Sequence, residues 1–425
     1  MFILYDLIFL IFAILYLPLY LVKGKFHRGF LMRLGILPKG LKLGSPIWVH
    51  AVSVGEAIVV KGLIEGLRKN YPDKKFVIST VTATGNKIAA SIAKGGDFVS
   101  YLPLDLGFVI KNVIDRINPS LFVIAETEIW PNLISYLSKK KIPVIVVNAR
   151  ISDRSLRGYM AARFFLKPIL NKISLFCAQT ERDAERLIRM GAARDKIKAT
   201  GNMKFDIKAD GADLRINGAD LKTKLWLIPE GKLIVCGSTH PGEEEIILRA
   251  YKKLLAGFPE LRLLIAPRHP ERAEEVAVIA ARFGFRPAFI SSLPDKCGAC
   301  AMAPVFILDT IGKLMDFYSL ADIVFVGGSL IKKGGHNILE PASLAKPVLF
   351  GPQMFNFRDI ADLFLENNAC ILVHGEEEIR RVIAGLLNNP AKMDILGEKA
   401  QGLIFRNQGA TGRNLELIKQ YGSKN

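Results

Sequence analysis

The stretch WVHAVSVGEAIVVKGLIEGL, Trp48–Leu67, decides the fold of this chain. An apolar run ends in a short turn around Gly55, and apolar residues then recur at helical spacing. This order predicts a strand, a tight turn and a helix. Nucleotide-binding folds place several glycines at such a turn, but here a single glycine is followed by the acid Glu56. Because a carboxylate repels phosphate, the turn is expected to face something else.

The same order of strand and helix recurs along both halves of the chain. In the first half, the runs KFVISTV, LFVIAE, IPVIVVN and LFCAQ each precede a helical pattern. After a polar stretch rich in Gly and Asp, the alternation restarts with LIVCGST, LRLLIAPRH, VFILDT, IVFVGGS, PVLFGP and ACILVHG. These runs predict an α/β fold with two Rossmann-like, doubly wound parallel sheets that face a cleft. Ligands of such sheets bind beyond the carboxyl ends of the strands, so functional residues are expected in the turns that follow them.

A chain of 425 residues is too long for one ordinary core, and two domains with additional segments are expected. The expected segments are a membrane anchor at 1–24, an N-terminal Rossmann-like domain at 25–205, a linker at 206–230, a C-terminal Rossmann-like domain at 231–405 and a C-terminal helix at 406–425. The linker is placed where the strand and helix alternation lapses.

The composition describes a folded, basic protein. Hydrophobic residues make up 50% and charged residues 23%, and the net charge is +18. Such a charge favours an anionic partner. Nucleic acid is not expected, because the sequence has no arginine-rich arm and no aromatic RNA-binding motif. Anionic lipid and the phosphates of a membrane surface are the expected partners.

The amino terminus supports a membrane partner. Residues 2–22 carry one charged side chain, Asp6, and about 20 apolar residues suffice to cross a bilayer. Lys or Arg then occurs at positions 23, 25, 28, 33, 39 and 42, which predicts that the rest of the chain lies on the cytoplasmic side. A buried core helix is the alternative, and Pro18 leaves open a helix that enters the bilayer without spanning it.

Five cysteines fit a reduced compartment. Cys177, Cys236 and Cys370 lie in apolar runs and are expected in the core. Cys297 and Cys300 form one C-x-x-C pair, but a zinc ribbon needs a second pair of ligands, and none is nearby. An exposed thiol pair is expected there, and neither a metal ion nor a cofactor is predicted.

The turns of the second half carry groups that suit a phosphorylated nucleotide. The stretch GGSLIKKGGHNILEP contains four glycines before a helix predicted to begin near His336, and bare amides there can bind an anion. Glu340 could accept hydrogen bonds from ribose hydroxyls, although a solvated acid in a glycine-rich loop is the alternative. GSTHPGEEE and APRHPER add further groups, which helix capping or solvation would also explain. The candidate residues are Ser238, Thr239, His240, Arg268, His269, Gly334, Gly335 and Glu340.

The turns of the first half carry hydroxyls, acids and an arginine. These groups suit an acceptor with several hydroxyls and phosphates, and helix capping is the alternative for Glu128 and Asp153. Glu56 suits a general base, because a helix dipole stabilises its ionised form, although an ordinary first-turn acid is the alternative. The remaining candidates are Ser53, Gly55, Thr82, Glu126, Glu128, Asn148 and Arg150.

As a set, VHAVSVGE, AETEIWPN, NARISDRS, GSTHPGEEE, APRHPER and GGHNILEP resemble the bacterial 3-deoxy-D-manno-octulosonic acid (Kdo) transferases. The resemblance implies a GT-B fold, an inner-membrane anchor and metal-independent transfer of Kdo from CMP-Kdo to a lipid A precursor, with inversion. It also implies that Glu56 is the general base and that Glu126 and Glu128 support the acceptor. Arg268, Asn337 and Glu340 match the CMP-binding region of that family.

Two other functions remain open from the sequence. A sugar-nucleotide epimerase of the same fold would use similar turns in the second domain, but it needs neither an anchor nor a charge of +18. A membrane-tethered binding protein without catalysis would have no use for the paired acids of the first domain.

Overall fold

The computed structural model describes residues 5–11, 15, 29–206, 231–293 and 304–422. Most of the predicted anchor, nearly all of the predicted linker and the Cys297 and Cys300 pair lie outside the described residues. The chain divides into two compact units. Met1–Asp206 and Asn407–Asn425 form the first unit, and Ile207–Arg406 form the second.

The first unit is built on seven parallel strands in the order β3-β2-β1-β4-β5-β6-β7. The strands are β1 Ile47–His50, β2 Phe76–Thr80, β3 Phe98–Tyr101, β4 Leu121–Ala125, β5 Val144–Ala149, β6 Leu175–Ala178 and β7 Ile197–Ala199. The helices are α1 Phe30–Arg33, α2 Val54–Asn70, α3 Ala83–Ile92, α4 Gly107–Ile117, α5 Pro131–Lys139, α6 Asp153–Ala161, α7 Arg163–Leu170 and α8 Glu181–Met190.

Both faces of this sheet are covered, as the apolar runs predict. Every residue of β1 is buried, and its neighbours Trp48 and Val49 point into two separate apolar cores on opposite faces. Side chains alternate between the two faces of a strand, so a continuous apolar run requires helices on both sides. The prediction of a parallel α/β sheet is therefore confirmed here.

The last helix of the chain returns to the first unit. This helix, α16 Ala410–Gly422, packs against α2. The packing is close, because a Cβ atom at Gly66 would lie 2.3 Å from the side chain of Leu415. The side chain of Arg413 donates to the carbonyl oxygen of Thr200 over 2.7 Å. Residues before and after the second unit in sequence are thus bonded to each other within the first unit.

The second unit repeats the architecture, with seven parallel strands in the order β10-β11-β9-β8-β12-β13-β14. The strands are β8 Leu233–Thr239, β9 Arg262–Pro267, β10 Ala288–Phe289, β11 Val305–Ile307, β12 Ile323–Val326, β13 Val348–Phe350 and β14 Ile371–Leu372. The helices are α9 Glu243–Leu254, α10 Ala273–Arg282, α11 Leu314–Leu320, α12 Leu339–Ser343, α13 Arg358–Glu366, α14 Glu376–Leu387 and α15 Pro390–Asn407. The second doubly wound sheet is also confirmed.

Helical residues 5–11 lie against the first unit. The carboxylate of Asp6 accepts a hydrogen bond from the backbone of Gly107, at the start of α4, over 3.2 Å. It also accepts one from Asn132 Nδ2, in α5, over 2.6 Å. Tyr5 donates its hydroxyl to Asp105 over 3.0 Å. Within the described residues, no helix is both long enough and apolar enough to cross a membrane.

Candidate active site

Glu56 lies in the first turn of α2, directly beyond the carboxyl end of β1. Its carboxylate accepts hydrogen bonds from the backbone N–H of Val52 over 2.7 Å and from the hydroxyl of Ser53 over 2.9 Å. This geometry resembles a capping box, in which a third-position acid reaches back to the start of its own helix. The side chain is half-buried and held in one orientation. Gly55 beside it is exposed.

Glu126 and Glu128 follow β4, which pairs with β1 in the sheet. Glu126 adopts φ +58°, a left-handed conformation that is uncommon for residues other than glycine, and its backbone N–H is bound to the carbonyl oxygen of Val147. One carboxylate oxygen of Glu126 lies 3.3 Å from Lys204 Nζ. Because neighbouring parallel strands end at the same edge of a sheet, the structure brings the three predicted acids together.

The surroundings of this cluster shift the pKa values of Glu56 and Glu128. Burial, followed by the negative charges of Glu56 and Glu126, raises the pKa of Glu128 to about 7. Burial also raises the pKa of Glu56, and the charge of Glu126 adds to this effect. The hydrogen bonds from Val52 and Ser53 and the positive charge of Lys204 act in the opposite direction on Glu56. Glu128 therefore keeps its proton to a higher pH than an ordinary glutamate.

Two neighbouring turns complete this edge. Thr82 is exposed and caps α3, with its hydroxyl oxygen accepting the N–H of Gly85 over 3.1 Å. A Cβ atom at Gly85 would lie 3.4 Å from the carbonyl carbon of Ser53, so the start of α3 touches the Glu56 turn. Arg150 follows β5, and its backbone N–H and carbonyl oxygen both bond to the hydroxyl of Thr127.

Asn148 differs from the other candidates of this unit, because it is fully buried. Its side-chain oxygen accepts the backbone N–H of Met203 over 2.9 Å, and its carbonyl oxygen accepts Gln179 Nε2 over 3.0 Å. It also takes a left-handed conformation, with φ +55°. The Asn148 side chain thus holds the short turn Met203–Phe205, which carries Lys204 toward the acids.

In the second unit, His240 and His336 form a direct contact. Their Nε2 atoms are 2.9 Å apart, and the two rings are nearly parallel, with centroids separated by 5.1 Å. One nitrogen must carry the proton that the other accepts. Burial, followed by the charge of Arg268, lowers the pKa of His336 to about 4, and burial with the charge of Lys333 lowers the pKa of His240. Both shifts favour the neutral form of the rings.

Arg268 and His269 are exposed after β9. The ring of His269 lies edge-on to His240, with a centroid separation of 6.2 Å. Burial raises the pKa of Glu340, while a hydrogen bond from Asn337 and the charge of Arg268 lower it. Asn337 Nδ2 donates to Glu340 over 3.1 Å. The structure therefore gathers the predicted arginine, histidines, asparagine and acid at one edge of the sheet.

Gly334 and Gly335 take positive φ angles of 94° and 71°. A Cβ atom at Gly334 would lie 2.3 Å from the side chain of Asn356, and one at Gly335 would lie 2.1 Å from the sulfur of Met354. Only glycine fits both the backbone angle and the space. The helix predicted from about His336 begins instead at Leu339, so that prediction is wrong. The side-chain oxygen of Asn337 accepts the N–H of Leu339 and delays the start of the helix.

Two residues predicted to bind the donor, Thr239 and Ser238, have structural features of their own at the end of β8. The hydroxyl of Thr239 is buried and donates to Glu244 over 3.0 Å, and Arg272 donates to the same carboxylate over 2.9 Å. Ser238 adopts φ +57°, a left-handed conformation at the end of β8. The turn after β8 is therefore defined by its backbone conformation as well as by its side-chain contacts.

Glu243 is a functional candidate that the sequence pattern did not indicate. Three consecutive acids follow the HPG turn, and two of them, Glu243 and Glu244, are completely buried. The carboxylate of Glu243 accepts the backbone N–H groups of Gly328, Ser329 and Leu330, in the glycine-rich turn that was predicted to bind phosphate. Those three amides are therefore occupied from within the protein. Among the described residues, no group of three His, Cys, Asp or Glu side chains could hold a metal ion.

The chain is similar to known proteins over most of its length. Residues 28–207 match the family model described as 3-deoxy-D-manno-octulosonic-acid transferase (kdotransferase). A protein of Haemophilus influenzae named 3-deoxy-D-manno-octulosonic acid transferase is 36% identical, with 89% of this chain and 88% of that protein covered. A protein of the same name from Chlamydophila psittaci is 31% identical over 98% of this chain and 96% of its own.

Solved structures add information on the fold alone. A UDP-GlcNAc 2-epimerase of Neisseria meningitidis superposes with a TM-score of 0.57 at 16% identity, covering 89% of this chain and 100% of its own. A glycosyltransferase of Rickettsia africae superposes with a TM-score of 0.56 at 16% identity, covering 90% and 100%. These neighbours have GT-B-like folds with two parallel-sheet α/β domains, and the likeness does not separate a transferase from an epimerase.

Proposed function

Since the chain belongs to the 3-deoxy-D-manno-octulosonic acid transferase family, we propose that it transfers Kdo from CMP-Kdo to a lipid A precursor in lipopolysaccharide synthesis. It is a glycosyltransferase, since its relatives are named 3-deoxy-D-manno-octulosonic acid transferase and this sugar acid is the group transferred. The single observation that supports a chemical role for the first unit is the cluster of Glu56, Glu126 and Glu128 at one edge of its sheet.

The proposed reaction is an inverting displacement. An acceptor hydroxyl oxygen attacks the anomeric carbon of Kdo, and the bond from that carbon to the phosphate oxygen of CMP breaks. The hydroxyl proton passes to a protein base, and the electron pair of the broken bond leaves with CMP. The protein must therefore supply a base on one side and stabilise a departing phosphate on the other.

Glu56 is the proposed base. Two hydrogen bonds orient its carboxylate, and these bonds together with the charge of Lys204 favour its ionised form. Glu128, whose pKa is raised to about 7, keeps its proton to a higher pH than an ordinary glutamate, and its protonated form can donate a hydrogen bond to an acceptor oxygen. Burial raises the pKa of both carboxyl groups, but the bonds from Val52 and Ser53 and the charge of Lys204 oppose this rise at Glu56, and this difference suits the two groups to different tasks.

The donor is proposed to bind in the second unit. Arg268 is exposed beside the neutral histidine pair and can pair with the phosphate of CMP. Glu340, held by Asn337, can accept hydrogen bonds from ribose hydroxyls. This assignment needs no metal ion, because a cation and neutral N–H donors suffice for one phosphate.

One experiment separates this function from its alternatives. Purified protein is heated with CMP or with UDP, and CMP alone is expected to raise the melting temperature. CMP release from CMP-Kdo is then measured with and without a lipid A precursor. Release that depends on the precursor supports the transferase. Stabilisation by UDP alone would indicate an epimerase-like protein, and CMP binding without release would indicate a binding protein.

We further propose that the protein works at the cytoplasmic face of the inner membrane, with its N-terminal segment as the anchor. Residues 7, 8, 10 and 11 are exposed and apolar, and so are Phe108 at 73% and Phe164 at 94% exposure. Phe108 follows Gly107, which binds Asp6, and Phe164 precedes Phe165, whose ring stacks on Tyr5 at 6.0 Å. These exposed apolar side chains therefore lie around the contacts of Tyr5 and Asp6 with the first unit.

The contacts of Tyr5 and Asp6 favour a segment that enters one leaflet without spanning the bilayer. If both residues stay hydrogen-bonded to the cytoplasmic unit, residues 5 and 6 lie on the cytoplasmic side as well. In intact cells, a cysteine introduced at position 2 should therefore resist a thiol reagent that does not cross the inner membrane. Rapid labelling of that cysteine from outside would instead establish a spanning helix.

A further inference from the structure

The carboxylate of Glu243 is completely buried and fully occupied by backbone donors. One oxygen accepts the N–H groups of Ser329 over 3.0 Å and Leu330 over 2.9 Å. The other accepts the N–H groups of Gly328 over 2.6 Å and His240 over 3.0 Å. Four donors thus surround a single carboxylate, and they come from two separate turns.

The glycine-rich turn that Glu243 binds contacts the backbone of the turn at the end of β8. A Cβ atom at Gly327 would lie 2.6 Å from the carbonyl oxygen of Ser238, so the two turns touch with no side chain between them. Gly328 has φ +68°, and its carbonyl oxygen accepts the N–H of Gly335 over 2.8 Å. The position of Gly335 is therefore set by the segment that Glu243 holds.

Ser329 connects the glycine-rich turn to a third turn, which follows β13. Its hydroxyl oxygen accepts the N–H of Gly351 over 2.8 Å, and its carbonyl oxygen accepts the N–H of Gln353 over 2.8 Å. A Cβ atom at Gly351 would lie 2.4 Å from the Ser329 carbonyl oxygen. The turns that follow β8, β12 and β13 are thus connected through residues 328–330.

Backbone N–H groups stabilise the ionised form of Glu243. Burial raises its pKa, but the N–H groups of Gly328, Leu330, His240 and Ser329 act against that rise. Amide donors that meet a carboxylate keep it ionised, whereas a neutral amide side chain would bring its own N–H groups against them. A glutamine at this position would therefore leave some of the turn's amides without an acceptor.

We propose that Glu243 is a positioning residue of the donor site: its carboxylate fills the amides of the glycine-rich turn and thereby fixes the turns that carry His240, His336 and Gly335. The proposal rests on the donor site assigned above. It has a second consequence for the phosphate of CMP. The amides of residues 328–330 are already taken, so the phosphate binds at Arg268 and the residues that follow Gly335.

The variant Glu243→Gln tests the positioning role, and Glu245→Gln on the same helical turn is its matched control. Glu245 is exposed and contacts Arg249 over 3.3 Å, so its replacement leaves the turns intact. Glu243→Gln is expected to weaken CMP binding and to raise KM for the donor by about 10- to 100-fold, the cost of a charged buried hydrogen bond. The KM for the acceptor should stay unchanged.

A purely structural role would give a different result. Glu243→Gln would then melt at a lower temperature but bind CMP normally well below that temperature, and the proposal would be overturned. Failure of the wild-type protein to bind CMP would instead contradict the proposed function itself. Should Glu243→Gln not fold, Glu243→Asp keeps the charge but withdraws it by one methylene group, and an intermediate loss of CMP affinity is expected.

Hydrogen exchange of the full wild-type chain, followed by mass spectrometry, tests the second consequence without a mutation. Amides 328–330 should be protected before CMP is added and should change little on binding. Peptides that cover residues 334–337 should gain protection with CMP. A large gain confined to 328–330 would place the phosphate on those amides and would refute the assignment.

Discussion

The two units place an acid at the same position of the same fold and use it differently. Glu56 follows β1, and Glu243 follows β8, the first strand of each sheet. In the first unit the neighbouring turn, after β4, presents the carboxylates Glu126 and Glu128. In the second unit the neighbouring turn, after β12, presents three backbone N–H groups. The partner turn therefore decides the role of the acid.

The difference follows from the groups around each acid. Backbone N–H groups, which are partly positive, surround Glu243, whereas negatively charged carboxylates lie near Glu56. An acid that meets amide donors on four sides is satisfied and has no capacity left for a substrate. An acid that keeps two donors and faces other acids stays half-buried, and its carboxylate oxygens can still accept a hydrogen bond from a substrate hydroxyl. Glu243 accordingly fixes backbone, whereas Glu56 is placed for proton transfer.

The largest effect is expected for Glu56→Gln. Removing the base should lower kcat for Kdo transfer by about 10²- to 10⁴-fold. The affinity for CMP should not change, because the donor residues belong to the other unit. The melting temperature should move little, since glutamine can still accept from Val52 or Ser53. Steady-state kinetics, calorimetric CMP binding and thermal unfolding measure the three quantities, and near-normal turnover would eliminate Glu56 as the base.

A smaller effect, with a definite sign, is expected for Glu128→Gln. In the folded protein Glu128 holds its proton up to about pH 7, while the unfolded chain releases it near its ordinary pKa of 4.5. Between these values the unfolded state gains by ionising, so Glu128 lowers the stability of the wild-type protein as pH rises. The variant should therefore melt at a higher temperature than the wild type at pH 8 and at a similar temperature at pH 4.

Glu185→Gln, a change of an exposed acid in the same unit, is the control for this measurement. It should show no such dependence on pH. Equal melting temperatures of Glu128→Gln and the wild type at pH 8 would mean that burial and the neighbouring acids do not raise the pKa of Glu128 in the folded protein. The contrast with the satisfied carboxylate of the second unit would then lose its electrostatic basis.

The smallest effect is expected for Lys204→Met. Lys204 lowers the pKa of Glu56 through its charge, so its removal should raise that pKa. Transfer requires the ionised base, and the acidic limb of the profile of kcat/KM against pH should therefore move to higher pH. Activity above that limb should be nearly normal. An unchanged profile would show that Lys204 does not affect the base.

Much of the fold could be predicted from local patterns. The apolar runs predicted strands with cores on both faces, and Trp48 and Val49 lie in two such cores. The turns after those strands also identified the acids and the exposed arginine. The information needed for these features lies within a few residues of sequence, because a strand, its turn and its helix are consecutive.

Features that depend on distant residues could not be predicted in this way. The bonds from Gly328, Ser329 and Leu330 to Glu243 join residues more than 80 positions apart. Neither stretch contains a local sequence pattern that indicates this contact. The same holds for Asn148, which is buried against Met203, 55 positions away. The helix expected at His336 begins later because the Asn337 side chain competes with the backbone, an effect that periodicity does not report.

The contact of Asp6 with the starts of α4 and α5 has a consequence for the kinetics of the proposed enzyme. Both helices follow strands of the first sheet, so the N-terminal segment is fixed at the edge that carries the three acids. A lipid acceptor would then reach the base by lateral diffusion. Its effective concentration is a surface density, and the rate should follow the mole fraction of acceptor in a detergent micelle. Added detergent should slow transfer even when the bulk acceptor concentration is held constant.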